Sequence, residues 1–238
     1  GTGTGAANID LSTGEGSVIG DLAIAFIDAY DGTNTKPTVL QYADAGVTGV
    51  TDDNLAAVNA AVANQPAGTT ALIQALADTA ITAASAAIAA SDAVLAQIGT
   101  EANTSVSSVV TAAQINTISP AITGAIDGNL AAYRAYIDAN TGSMTNPATV
   151  GEVQAMVTAV NTAEVTSAGV LAQIGTEANT SVSSVVTAAQ INTISPAITA
   201  ALAANETAYQ VYIDANAASF ASPATAAEVQ AMVTAVNA

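Results

Sequence analysis

Val94 to Thr123 reads VLAQIGTEANTSVSSVVTAAQINTISPAIT, and Val170 to Thr199 repeats it letter for letter. The offset is 76 positions, and it continues with substitutions: YIDAN, PAT and EVQAMVTAVN recur up to Asn161 and Asn237. A fixed internal period marks an array of similar units. Identity over so long a run must include solvent-facing positions, which folding alone does not hold constant. A recent duplication is the simplest cause, and arrays of this kind serve as spacers or multivalent binders.

Helix punctuation organises each unit. Thr149-Val-Gly-Glu152 and Thr225-Ala-Ala-Glu228 match the capping box, with Thr as N-cap and Glu three residues later. Thr111-Ala-Ala-Gln114 and Thr187-Ala-Ala-Gln190 give the same signal with Gln. Ser119-Pro120 and Ser195-Pro196 read as an N-cap followed by Pro at the first helical position. Gly99 and Gly175 read as helix stops. Leu72, Leu76, Ala80, Ala84 and Ile88 step by four and predict one helix face.

The repeat phase aligns Leu72–Ile98 with Ala148–Ile174, so Val150 to Ile174 is expected to form one long helix. The fold expected is all-α: tandem three-helix modules with a long helix shared between consecutive units. Each module has a long helix, a loop with a short helix (112–118), and a third helix from Pro120 to about Ala139. The expected segments are a linker at 1–17, a diverged N-terminal helical unit at 18–70, repeats at 71–147 and 148–223, and the start of a further unit at 224–238. Phe26-Ile27-Asp28-Ala29 matches the YIDA of Tyr136–Ala139 and Tyr212–Ala215. The Gly- and Thr-rich start and the end inside an expected helix read as a piece of a longer polypeptide.

Composition narrows the function. Cysteine, histidine and tryptophan are absent, which removes disulfides, thiol chemistry and the commonest base and metal ligand. Lys and Arg number 2 against 19 Asp and Glu, giving a net charge of -17. Nucleic-acid binding needs cations that this chain lacks, and an anionic membrane surface repels it. The apolar stretch Thr79–Ser91, bounded by Asp78 and Asp92, is shorter than the ~20 residues of a span. Neither nucleic acid nor membrane insertion is expected.

YADAGVTGVTDDNLAAVNAAVA (Tyr42–Ala63) and PATAAEVQAMVTAVN (Pro223–Asn237) resemble the helical repeat regions of giant secreted, adhesin-like surface proteins of Gram-negative, often marine, bacteria. The resemblance implies export, an extracellular or cell-surface location and an architectural or adhesive role. It implies no catalytic residues.

The speculative ligand-binding residues are Tyr133 with Tyr136 and Tyr209 with Tyr212, i,i+3 pairs that would form aromatic platforms for a glycan or peptide. The repeated loops Gly99–Val110 and Gly175–Val186 are the second place to look. Glu101 and Glu177 lack a neighbouring carboxylate and read as capping or solvated. Asp52, Asp53, Asp138 and Asp214 lack the alternating spacing of a calcium loop. No metal, cofactor or enzyme activity is expected. The expected partners are neighbouring modules, self-association through helix faces, and host or surface glycans or proteins. The alternative functions are a subunit of an extracellular filament or surface layer, and an ice-binding or carbohydrate-binding module. For ice binding the face would include Thr79, Thr82, Ser85 and Ser91.

Overall fold

A computed structural model of the chain describes residues 15–238. The expected linker falls mostly on residues 1–14, outside the described residues, and helix begins at Glu15. The described residues are all helix, turn and loop, with no strand. They divide into two compact units, one up to Ala89 and one from Ala90.

The first unit holds α1 (Glu15–Asp28), α2 (Val39–Asp44), α3 (Leu55–Val62) and the first part of α4 (Thr70–Ala102). Ile27, Tyr42, Val58, Val62, Ile73 and Ala77 form its core. A capping box with Thr38 and Gln41 as partners opens α2. The buried face of α4 runs through Ile73, Ala77 and Ala80, whereas Leu72 and Ile88 of the expected stripe are exposed. The rotation follows from Gln74, whose side chain is bonded to the backbone of Thr48: Oε1 accepts its N–H at 2.8 Å and Nε2 donates to its carbonyl at 3.2 Å. Phe26–Ala29 ends α1, ahead of the short α2, while its sequence match Tyr136–Ala139 closes a later helix.

The second unit contains the rest of α4, then α5 (Ala112–Ile115), α6 (Leu130–Ala139), α7 (Val150–Ala178), α8 (Ala188–Ile191), α9 (Glu206–Ala215) and α10 (Ala226–Asn237). All four expected capping boxes are formed, at Thr111, Thr149, Thr187 and Thr225. α7 is unbroken through Asn161–Val165. Thr158, Thr162 and Thr166 lie within it, each hydroxyl donating to the carbonyl four residues back, at 2.8–2.9 Å. Val153, Met156, Val157 and Val160 of α7 join one core with Ile98, Ile115, Tyr133 and Ile137. Val170, Ile174 and Ala178 join another with Ile191, Tyr209, Ile213, Val229 and Met232.

Three sequence expectations are corrected. Gly99 and Gly175 do not stop helices; α4 and α7 run past them to Ala102 and Ala178. These glycines let a loop backbone touch the helix. A Cβ on Gly99 would lie 2.6 Å from the Ala148 nitrogen and 2.7 Å from the Thr145 oxygen, and one on Gly175 would lie 2.7 Å from both Ala221 O and Ala224 N. The third helices begin at Leu130 and Glu206, not at Pro120 and Pro196, and the short helices end at Ile115 and Ile191.

The reason for the later start is that the intervening backbone is bonded to side chains instead of to itself. The Ser119 N–H donates to Ser91 Oγ at 2.9 Å, the Thr123 N–H to Gln154 Oε1 at 2.9 Å, and the Ile126 N–H to Tyr133 OH at 3.3 Å. The chain reverses at Gly124, with φ +86, and at Ala200, with φ +67.

Gly99→Ala and Gly175→Ala are each expected to lower stability by ~3 kcal/mol or more in urea unfolding, because backbone must move. Gly169→Ala, a helical position with nothing within 4 Å of the added Cβ, is expected to raise it by ~0.5–1 kcal/mol. Ala200→Gly is also expected to stabilise, by ~1 kcal/mol, through relief of a left-handed alanine.

Candidate functional site

The loops Asn103–Val110 and Asn179–Val186 are built alike from the helix end outward. Asn103 caps α4: its amide donates to Gly99 O at 2.7 Å and Met144 O at 2.9 Å. Asn179 does the same with Gly175 O and Phe220 O. Glu101 lies two residues earlier and is 5% exposed. Its carboxylate accepts from Ser108 Oγ at 2.7 Å, the Val109 N–H at 3.1 Å and Gln97 Nε2 at 2.9 Å. Glu177 accepts from Ser184 Oγ at 2.7 Å and Gln173 Nε2 at 2.8 Å. Both glutamates read from the sequence as capping or solvated. Instead they are buried, because each loop folds back over its own helix and supplies the donors that a buried carboxylate requires.

Further side chains pin the same segments. Asp138 and Asp214 accept the N–H groups of Ser108 and Ser184, both at 2.7 Å. Arg134 Nε donates to Val110 O at 2.8 Å, and Gln210 Nε2 to Val186 O at 2.9 Å. Gln114 of the α5 cap donates to Gln97 at 2.9 Å, which ties cap, helix and loop together. With the backbone held from beneath, Val106 and Val109 project outward at 61% and 64% exposure, and Val182 and Val185 at 60% and 67%. The result is two identical loops, each presenting a pair of valines on a fixed backbone.

The tyrosine pairs do not form platforms. Tyr133 and Tyr209 are fully buried, so neither ring offers a face to a ligand. Tyr133 OH donates to Asn161 Oδ1 at 2.6 Å, and Asn161 Nδ2 donates to Gly124 O at 2.8 Å. Tyr209 and Asn237 repeat the arrangement, at 2.7 Å for both bonds. Tyr136 and Tyr212 are half-buried against the same cores, and Tyr212 meets Phe220 edge-on with ring centres 6.3 Å apart. Helical spacing put each pair on neighbouring positions, but the core takes one member and leaves the other at its edge.

The remaining candidates are accounted for. Among the described residues no group of three Asp or Glu side chains is placed to hold a metal ion. Ser91, from the expected ice-binding face, is buried and accepts the Ser119 N–H. α4 is long and apolar enough to cross a bilayer by length and composition, since it extends past both Asp78 and Asp92. No known family model, no curated protein and no solved structure matches the chain.

Two measurements probe this region. Tyr133→Phe is expected to cost ~1 kcal/mol, and Asn161→Ala ~2 kcal/mol or more because it strands the Tyr133 hydroxyl and Gly124 carbonyl; a double-mutant cycle should show strong coupling. The second is a pH series. The Thr149 N–H, supported by Thr145, holds the Glu152 carboxyl down from 4.5 to about 2. The Thr225 N–H lowers Glu228 in the same way. A depressed carboxyl stabilises the fold above its unfolded value and loses that contribution as pH falls through its folded value. The urea midpoint is therefore expected to fall between pH 4.5 and about 2, and less steeply in Glu152→Gln.

Proposed function

We propose that the chain is a structural and adhesive segment of a bacterial extracellular surface protein: a tandem array of three-helix modules that share long helices and present repeated, rigid apolar loops. The observation that carries this reading is the pair of letter-identical loops with outward valines. Single exposed valines are ordinary on any surface. Here the exposed pair and its buried support are copied together, and multivalent contact profits from copy number without any single tight site.

The module reading draws on α7, whose two halves enter two separate cores, and on three backbone-gripping glutamines. Gln74, Gln154 and Gln230 each bracket a threonine peptide, at Thr48, Thr123 and Thr199. A helix that serves two cores transmits orientation from one module to the next, which suits a spacer. The scarcity of cations reduces sticking to anionic surfaces. α4 is read as water-facing, because Asp78 and Asp92 are ~21 Å apart along the helix, less than the ~30 Å hydrocarbon core. The role is non-catalytic, and the partners are surface glycans or proteins and neighbouring modules.

The test is a glycan and extracellular-protein array probed with the full chain and with Val106→Ser/Val109→Ser, Val182→Ser/Val185→Ser and the quadruple variant. Loss of ~10²-fold in apparent affinity from either double variant is the expected result. Binding indifferent to all four substitutions would remove the loops from the interaction. Light scattering over a concentration series distinguishes the filament or layer subunit, for which particle size grows with concentration.

A further inference from the structure

The first unit differs from the second in what underlies the segment ahead of its capping box at Thr38. In the second unit the segments ahead of the Thr111 and Thr187 capping boxes are each clamped by a buried glutamate, Glu101 or Glu177, and their last carbonyls are held by Arg134 and Gln210. In the first unit Asn59 takes the latter role, donating to Pro37 O at 2.9 Å. Among the described residues no buried carboxylate underlies the segment, and a cavity of about 570 Å³ opens between Tyr30, Lys36, Asp52 and α3. That volume falls within the ~300–1,000 Å³ of small-molecule sites.

Its chemistry is selective. The floor is Leu55, Ala56 and Ala60 of α3 with Ala63 just past its end, and these side chains offer apolar area and no hydrogen bonds. One wall is Tyr30, only 5% exposed. Asn59 is rigid there, because its carbonyl oxygen accepts from Tyr42 OH at 2.7 Å while its amide holds Pro37. Lys36, one of 2 basic residues in the whole chain, lies on this cavity, and so does Asp52. Both line the cavity and are exposed, so both charges are available to a ligand there. A simple anion meets Asp52 and the net charge of -17. A simple cation meets Lys36. A molecule carrying both charges beside an apolar body satisfies both groups and the floor, and the rejection of the other two classes comes from unlike sites that would face like charge.

We propose that this cavity binds a small zwitterion of the apolar α-amino acid type, its carboxylate at Lys36, its ammonium at Asp52 and its side chain against α3. Binding here is independent of the loops of the second unit.

The experiment is an NMR titration of the isotope-labelled full chain with L-leucine. The expected result is saturable shifts at Tyr30, Lys36, Asp52 and α3 with a Kd of ~1 mM or tighter. Lys36→Gln and Asp52→Asn should each weaken binding at least about ten-fold, the loss of one charge-assisted contact. Ala60→Phe, which fills the floor, should abolish it. The anion 4-methylpentanoate and the cation isopentylamine should each bind more weakly than leucine. Lys36 and Asp52 are exposed, so both variants should keep the wild-type thermal midpoint and report on binding alone. Absence of saturable shifts, or leucine binding unchanged in both charge variants, would overturn the proposal.

Discussion

The arrangement of the second unit depends on backbone touching backbone at Gly99 and Gly175. Ala148 N–H donates to the Leu95 carbonyl at 3.0 Å, and Ala224 N–H to the Leu171 carbonyl at 3.0 Å. These bonds cross from a loop to a carbonyl already inside a helix, and they require the loop to lie directly on the helix surface. Only a residue without Cβ leaves that space. Once the loop is seated, Thr149 and Thr225 stand where they can cap α7 and α10, and Met144 or Phe220 enters the core below. The direction of the next helix is thereby set by contact with the previous one.

Polar side chains take over the work that regular structure leaves undone. Much of each unit is loop, and its backbone N–H and C=O groups need partners. Glutamine, asparagine and glutamate supply them in repeated patterns: Gln154 on Thr123, Asn161 on Gly124, Glu101 on Val109. No buried side-chain polar atom among the described residues is left without a bond. This suits a chain poor in aromatic residues and charges, where irregular segments must be held by amides. The same kind of bonding holds the twin loops from beneath, at Ser108 and Ser184.

Several features were legible in the sequence because their causes are local. The capping boxes need only a Thr and a Gln or Glu three residues apart, and all four that were read are present. The continuity of α7 followed from the repeat phase and from the lack of proline. Other features depend on partners far along the chain. Glu101 meets Ser108 and Val109 only when the loop folds back, so its burial left no local trace. Tyr133 and Tyr136 share a helix surface in sequence, yet Asn161, on another helix, draws Tyr133 into the core. Ser119-Pro120 carries a valid helix-start signal, but Gln154 and Ser91 bind the backbone that a helix would have used.

What the sequence determined by itself was the all-α class, the duplicated stretch, the helix starts at the four capping boxes and the exclusion of thiol, imidazole and cation-based chemistry, since all of these rest on residue type and short spacing. What only the tertiary structure decided was the use of each conspicuous residue: glycine as a seat and not a stop, glutamate as a buried clamp, tyrosine as core, and Lys36 with Asp52 on the lining of a cavity. The physical reason is that a side chain's role depends on whether water or a partner satisfies it. That is settled by packing between segments tens of residues apart.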